Sequence, residues 1–574
     1  MSTSGPTRTR DTGGPPAETP DLSGGFPRLE PDQIEVLAGR GDRRPVRPGE
    51  VLIVEGEPDP AFFVVLSGTV AVLEGYETPE ERVVRVHGPG RFLGELGLLT
   101  GQVSFFTDVA AVDGEVLAVP VEEVRRLVAS DSVLGDEILR AYLIRRSLAI
   151  GLGAGFRIVG SRFSADTARL RDFASRNRLP HRCIDLENDT EAEGTLRALR
   201  IGPRDTPLVV WRDNLLRNPS NAELAAAIGL RVSADDAPST CDLLVVGAGP
   251  AGLAAGVYGA SEGLRTGVRD AVAAGGQAAT SSRIENYLGF PAGISGGELA
   301  ERAVIQADKF GARTRIPATA IALERDDGHY VVRLDDGGQA TARTVIVATG
   351  ARYRRLPVPR LEEFEESSVF YAATPLEARI CADDPVVVVG GGNSAGQAAL
   401  FLADHARSVR MVVRESTLDE FMSSYLADRI LADGRIDVLV HTEVRELLGE
   451  RGVLDAVVVE DTRTGQRRQV DARELMVFIG AAPCTGWLAD AVGLDSGGYV
   501  HTGPSAAERG AEAFSEIGRA PLPLETSAPG VFAVGDVRSG SVQRVASAVG
   551  EGAMAVRLVH EHLRGLTAEV HAAT

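Results

Sequence analysis

A chain of 574 residues is several times the size of one domain, so three or four separately cored units are expected. Its hydrophobic content of 44% suits packed globular protein, and a formal net charge of -20 repels nucleic acid and anionic lipid, which removes both as general partners. No apolar run approaches the roughly 20 residues that span a bilayer. The opening "MSTSGPTRTRDTGGPPAETPDLSGG" lacks an apolar signal core; residues 1–26 read as a disordered lead-in, rich in Gly, Pro, Ser and Thr, on a cytoplasmic protein. The four cysteines, Cys183, Cys241, Cys381 and Cys484, include no C-x-x-C spacing, so reduced thiols are expected, with neither an adjacent redox pair nor a metal site.

Residues 27–150 begin with short runs such as "GEVLIVEGE" and "AFFVVLSGTVAVLEG", whose alternating apolar residues lie between Gly and Pro turns. The pattern predicts a small β-barrel or jelly roll, followed by helix through "VEEVRRLVASDSVLGDEILRAYLIRRSLAI". By "PGEVLIVEGEPDPAFFVVLSGTVAVLEG" and "GRFLGELGLLTGQ" the region resembles a cyclic-nucleotide-binding domain. The resemblance implies a phosphate cradle at Gly94, Glu95 and Leu96, with Glu95 on the ribose hydroxyl and an Arg about nine or ten residues later on the phosphate. Ser104 and its apolar neighbours Phe105 and Phe106 stand where that Arg belongs. A phosphate buried without its cation is poorly compensated. Two readings therefore stay open: a site for a cyclic nucleotide or other ligand, and a retained scaffold for dimerisation or docking.

Over 155–232 the pattern changes to strand "FRIVG", helix "TARLRDFASRNR", strand "HRCIDL", helix "AEGTLRALRI", strand "PLVVW" and helix "NAELAAAIGL". This order resembles a thioredoxin or glutaredoxin domain, and Thr206 before Pro207 matches that family's cis-proline. The family's C-x-x-C position reads Ser164, Ala165, Asp166, Thr167, so the resemblance implies an adaptor without its thiols.

The strongest signal starts at Cys241. "CDLLVVGAGPAGLAAGVYGASEGLRTGVRD" places an apolar strand before Gly247, Gly249 and Gly252, an Ala-rich helix after them, and Asp270 at the end of the next strand. The first glycine permits the tight turn, the second lets a pyrophosphate approach the helix N-terminus, the third allows close packing, and the acid bonds a ribose diol. A second copy, "PVVVVGGGNSAGQAALFLADHARSVRMVVRE", carries Gly390, Gly392 and Ala395, so two dinucleotides are implied. With "GGQ", "ATG" and "VGD" in order, residues 240–565 resemble the low-molecular-weight thioredoxin reductases. The expected architecture is thus multidomain: the barrel, the thioredoxin-like α/β unit, and two Rossmann-like α/β domains, one for FAD (240–355 and 487–567) and one for NAD(P)H (356–486).

The resemblance implies that Gly247, Gly249, Gly252 and Asp270 hold the adenosine end of FAD, and that Gly276, Gln277 and Asn286 line its ribityl chain and ring. Asp536 would bond the ribityl or phosphate, with Arg544, Val545 and Ala546 along the flavin edge. Gly390, Gly392, Asn393, Ser394 and Ala395 would cradle the nicotinamide nucleotide; Arg414 points to the 2′-phosphate of NADPH, and Glu415 beside it leaves NADH open.

Before the second Rossmann strand that family carries Y-C-A-T-C, and this chain reads Tyr371, Ala372, Ala373, Thr374, Pro375. Neither Ala372 nor Pro375 can form or break a disulfide, so relay through this dithiol is excluded. The expected reaction passes hydride from NAD(P)H to FAD and electrons on to an acceptor that is not a dithiol, under control of the N-terminal domain. Thioredoxin-disulfide reduction through other cysteines, and a non-enzymatic redox or ligand sensor, are the alternatives. Because the cofactor carries the chemistry, no side chain is assigned as nucleophile or general base. The resemblance also implies a homodimer and rotation of the nicotinamide domain about the crossing segments "RYRRLPVPR" and "GAAPCTGWL".

Overall fold

The computed structural model describes residues 17–21, 24–162, 164–189, 201–202, 205–212, 214–230, 240–281, 284, 286–365, 367–371, 373, 378, 381–450, 452–488 and 490–573. Seven strands come first: β1 Asp42–Val46, β2 Val51–Ile53, β3 Phe62–Ser67, β4 Val70–Glu74, β5 Arg82–His87, β6 Thr107–Ala110 and β7 Gly114–Val119. They form two antiparallel sheets, ordered β1-β7-β3 and β2-β6-β4-β5. Phe62, Val64, Phe92 and Leu117 pack inside against Leu127 of the helix Val121–Ser130 and Ile138 and Tyr142 of the helix Ser132–Gly151. Asp131 caps the latter, its carboxylate accepting from the amides of Val133 and Leu134.

Four strands follow, β8 Phe156–Gly160, β9 His181–Asp185, β10 Leu208–Trp211 and β11 Asn214–Arg217, in the order β11-β10-β8-β9, with the helices Ala165–Arg176 and Asn221–Ala227. The peptide Thr206–Pro207 is cis, just before β10. The helix expected at "AEGTLRALRI" lies almost wholly outside the described residues. The hairpin strand β11 was not legible in the sequence, because its four residues are mostly exposed and too few to show a period.

These two units share one core. Phe105 and Phe106, at the positions where a phosphate-binding Arg was expected, are buried with Phe156, Phe173, Trp211 and Ile228 of the second unit, and the rings of Phe105 and Trp211 lie 5.7 Å apart. The indole Nε1 of Trp211 donates to Glu55 Oε1 of the barrel at 3.2 Å.

Next come β12 Cys241–Val246, β13 Thr266–Arg269, β14 Arg313–Arg315, β15 Ala320–Asp326, β16 His329–Leu334 and β17 Gln339–Val347, in a sheet ordered β14-β13-β12-β17-β16-β15, with Val531–Ala533 added parallel to β17. The second nucleotide sheet is parallel throughout and ordered Val369–Phe370, Glu474–Val477, Pro385–Val389, Ser408–Val412, Ile436–Leu439. Its central strand reads PVVVV and is buried at every residue, as a parallel strand covered on both faces must be. The chain crosses between the two sheets on an antiparallel pair, Ala351–Tyr353 with Ala481–Pro483.

The N-terminal units dock on the first nucleotide sheet's helical layer. Arg178 donates to Glu301 Oε2 at 3.1 Å and to Ser147 Oγ at 2.7 Å, so one side chain of the second unit joins the barrel's last helix to the helix Gly296–Lys309. Among the described residues no helix is long and apolar enough to cross a membrane.

Candidate functional site

Both glycine motifs open onto one cavity of about 1650 Å³ between the two nucleotide sheets. That exceeds the roughly 1,000 Å³ of a large single-ligand pocket and leaves room for two dinucleotides. Gly247 leaves β12 at φ +106, where a Cβ would stand 2.2 Å from Ala348 O, and a Cβ on Gly252 would stand 1.8 Å from Gly247 O. Only glycine allows this turn and this contact between helix and strand. Gly249 caps the helix Pro250–Ser261, with proline at the first turn, and directs unpaired amides into the cavity. A Cβ on Gly249 would meet nothing nearer than Gly276 Cα at 4.0 Å, so the space beside it is an open lane at a helix N-terminus, which fits a pyrophosphate.

Asp270 lines the same wall. Its Oδ2 accepts from the Ala248 amide at 2.7 Å and its Oδ1 from the amides of Val272 and Ala273 at 2.9 and 3.1 Å. Burial pushes its carboxyl up, and these three amides pull it back. Gly276, Gln277, Asp536, Arg544 and Val545 also line the cavity, while Ala546 does not. The Gln277 side chain donates to Ala351 O, and the turn carrying Asp536 is fixed where Glu551 accepts from the Gly535 amide at 2.7 Å and pairs with Arg538 at 2.5 Å. Asn286 is placed differently from expectation: Ile284 and Ile294 bridge to each other, the intervening loop turns outward, and Asn286 is exposed away from the cavity wall.

On the nicotinamide side Gly392, Asn393, Ser394 and Ala395 line the cavity, and Gly392 caps the helix Asn393–Ala403. Gly390 lies behind them at φ +138, where a Cβ would approach Phe478 O to 2.3 Å. Neither Arg414 nor Glu415 is in the wall; the Arg414 side chain is 73% exposed and its Nε donates to Glu415 Oε1 at 2.7 Å. Glu415 is the better placed of the two, 12% exposed, with its Oε2 only 2.9 Å from where a Cβ on Gly391 would stand.

The barrel holds a second, much smaller cavity of about 40 Å³, lined by Gly94, Glu95, Arg85, His87, Ser104 and Asp108 among others. Leu96 starts the short helix Leu96–Thr100 and points into the barrel core. Ser104 Oγ donates to Phe106 O at 3.0 Å, and Arg145 fills the adjoining space, donating to the carbonyls of Gly25, Phe92 and Gly94 with its guanidinium 4.4 Å from the Phe92 ring centre. Ligand pockets start near roughly 300 Å³, so a nucleotide has no room in this conformation. Both Glu95 oxygens are buried without a hydrogen-bond partner among the described residues.

Burial pushes Glu95 up to about 7 against the pull of the Arg146 and Arg145 charges, and pushes Asp108 up to about 8 with the Glu95 charge adding to the rise. Acids raised on folding bind more protons in the native state than in the unfolded chain, so the stability they contribute is present at low pH and lost as pH climbs through their folded values. Asp108→Asn is therefore expected to raise the barrel's melting temperature by about several degrees near pH 8.5 and by little near pH 5. Equal shifts at both pH values in a thermal scan would contradict this linkage.

The family model described as pyridine nucleotide-disulphide oxidoreductase matches residues 241–552, and that of the cyclic nucleotide-binding domain matches residues 43–131. The chain belongs to the pyridine nucleotide-disulphide oxidoreductase family. A thioredoxin reductase of Treponema pallidum is 34% identical over 322 residues, 56% of this chain and 97% of that protein. A 34.2 kDa protein in the rubredoxin operon of Clostridium pasteurianum is 30% identical over 324 residues, 56% of this chain and 97% of its own length. Among solved structures, Lactococcus lactis thioredoxin reductase matches with a TM-score of 0.51 and 25% identity over 56% of this chain and 99% of that one. The T. acidophilum thioredoxin reductase gives 0.50 and 28% over 56% and 98%. The chain is thus an FAD-dependent oxidoreductase of thioredoxin-reductase type, using a nicotinamide nucleotide and carrying an N-terminal cyclic nucleotide-binding domain.

In this oxidoreductase Ala372 and Pro375 fall outside the described residues. Tyr371, just before them, is anchored: its ring stacks on Tyr353 at 6.2 Å and its hydroxyl donates to Glu365 Oε1 at 2.6 Å. No disulfide joins any of the four cysteines. Cys183 is exposed on β9, Cys241 opens β12, and Cys381 is buried in the core of the second nucleotide sheet. Cys484 lines the dinucleotide cavity, which no local motif foretold, its amide donating to Gly350 O at 2.9 Å. Burial pushes its thiol up, so it stays protonated and weakly nucleophilic. Also unforeseen are Asp172, Ser175 and Arg176, which bring the second unit into the cavity wall. No local motif marks them, because only the docking of two distant segments places them there.

Proposed function

We propose that this chain oxidises a nicotinamide nucleotide, NADH in preference, and passes the electrons through FAD to an acceptor that is not a dithiol. One observation carries the reading: the dithiol positions are Ala372 and Pro375, and no disulfide joins the four cysteines, which lie on four separate parts of the structure. Bound FAD supplies the redox chemistry, taking hydride from a nicotinamide and releasing electrons to the acceptor. The protein's part is to hold and orient the dinucleotides: Gly247, Gly249, Gly252 and Asp270 at the adenosine end of FAD, Gly276, Gln277, Asp536, Arg544 and Val545 farther along it, and Gly392 to Ala395 at the nicotinamide nucleotide.

The preference for NADH is supported by Glu415, whose carboxylate adjoins the glycine loop where a ribose diol is bonded, and by the pairing of Arg414 with that carboxylate rather than with open space for a 2′-phosphate. Control by the N-terminal units is supported by their contacts: Arg146 donates to Gln102 Oε1 at 3.0 Å and to Arg178 O at 3.3 Å, Arg178 continues to Glu301, and Asn177 Nδ2 donates to Val272 O at 2.9 Å, two residues from Asp270. The second unit reads as a thioredoxin-like adaptor, supported by its four-stranded sheet, its cis Thr206–Pro207 peptide, and Ser164, which caps a helix where that family has a cysteine.

A chain with Cys183, Cys241 and Cys484 changed to Ser and Cys381 to Ala tests the acceptor class. Its rate of flavin reduction and its turnover with a one-electron dye are expected within about twofold of the parent. A fall in turnover of about tenfold or more with flavin reduction intact would restore a thiol relay and sink the proposal.

A further inference from the structure

The cavity that carries both glycine motifs is closed on one side by a unit with no nucleotide motif of its own. The last turn of the helix Ala165–Arg176 contributes Asp172, Ser175 and Arg176, with Arg178 just beyond. This turn is fastened by the two residues after it. Asn177 bonds Val272 O at 2.9 Å, and Arg178 bonds Glu301 and Ser147. Arg176 is left facing the cavity. It makes a long ion pair with Asp172 of its own helix, at 3.8 Å, and its Nε is buried with no hydrogen-bond partner among the described residues. Buried donors in native structures are nearly always satisfied, so an unspent guanidinium N–H in a cavity wall points to an anionic ligand.

The place of that anion follows from the charges nearby. Burial pushes both Asp270 and Tyr353 up and the Arg176 guanidinium opposes the rise in each, so its field reaches the adenosine side of the cavity and the crossing strand. The Gly249 lane and Gly276 belong to the same wall, and a Cβ built on Gly276 would stand 3.1 Å from Gly249 Cα. FAD has a single anionic element, its pyrophosphate, and the Asp270 carboxylate in the same wall repels rather than holds it. Helix N-terminal amides and an arginine fork are complementary on such a group, the first giving partial positive charge and the second a full one.

We propose that Arg176 binds the pyrophosphate of FAD, so that the second unit is part of the cofactor site and its docking completes that site. The inference rests on the reading that this cavity takes FAD. A domain that has no thiols left to relay electrons then keeps a task, holding the cofactor, and its release from the flavin half would loosen the flavin.

The test uses the full chain, stripped of flavin and reconstituted with FAD, and reads the Kd from the quenching of flavin fluorescence. Arg176→Ala and Arg176→Gln are expected to weaken FAD binding by about tenfold, with Arg176→Lys recovering most of the loss and the neutral variants showing a shallower dependence of Kd on salt. The melting temperatures of the flavin-free variants are expected to lie close to the parent's, since the guanidinium makes only a long, exposed ion pair with Asp172. Neutral variants that bind FAD within about twofold of the parent overturn the inference, as does an unchanged FAD Kd beside a raised KM for the nicotinamide nucleotide, which would assign Arg176 to the other dinucleotide. A parent chain that takes up no FAD overturns the cofactor reading and this inference with it.

Discussion

Glu415→Arg is expected to reverse the choice of nicotinamide nucleotide, lowering kcat/KM for NADH by about tenfold and raising that for NADPH by about as much. The carboxylate is 12% exposed, beside the Gly391 backbone, where it can accept from both hydroxyls of an adenosine ribose. Removing it leaves the diol without an acceptor, and the new cation, with Arg414 freed from its 2.7 Å bond to Glu415, gives a 2′-phosphate two positive partners. The check is steady-state kinetics with both nucleotides at a fixed acceptor concentration. An unchanged ratio would show that selection lies elsewhere than the end of the strand Ser408–Val412.

A comparably large effect is expected from two glycines, by two different routes. Gly252→Val puts a side chain where even a Cβ lies 1.8 Å from Gly247 O, so helix and strand must separate and the chain is expected to lose both FAD and thermal stability. Gly249→Ala meets no protein atom within 4 Å except Gly276 Cα at that distance, so folding is expected to be undisturbed. The added methyl does enter the lane of the pyrophosphate, and FAD affinity is expected to fall by about tenfold or more. Flavin absorbance per chain and the melting temperature of the flavin-free protein separate the cases. Full FAD content in Gly249→Ala would mean that the pyrophosphate does not run past that helix N-terminus.

The features legible in the sequence are those whose cause is local. Gly247 at φ +106 and Gly390 at φ +138 demand glycine wherever they occur, and buried parallel strands such as Pro385–Val389 demand unbroken apolar runs, so both nucleotide folds could be read residue by residue. The features that could not be read depend on where separate segments meet. Arg176 sits on a helix surface with no motif, and Cys484 reaches the cavity only because Ala351–Tyr353 pairs with Ala481–Pro483. Asn286 was placed in the site by position in a motif, and the bridge between Ile284 and Ile294 turns it outward. Arg414 and Glu415 are neighbours in sequence, and only the exit of the strand decides which of them faces the glycine loop.

The loss of the phosphate-pairing Arg in the barrel gains a physical sense from the shared core. Phe105 and Phe106 occupy its surroundings and are buried against Phe156, Phe173 and Trp211, so this edge of the barrel has become an internal interface.

Anaerobic titration of the full chain with NADH shows whether electrons leave the flavin without passing through a disulfide. Complete bleaching of the flavin is expected after about one NADH per FAD, with the number of titratable thiols unchanged. Uptake of about two NADH per FAD, with two new thiols appearing, would reveal a redox-active cysteine pair and contradict it.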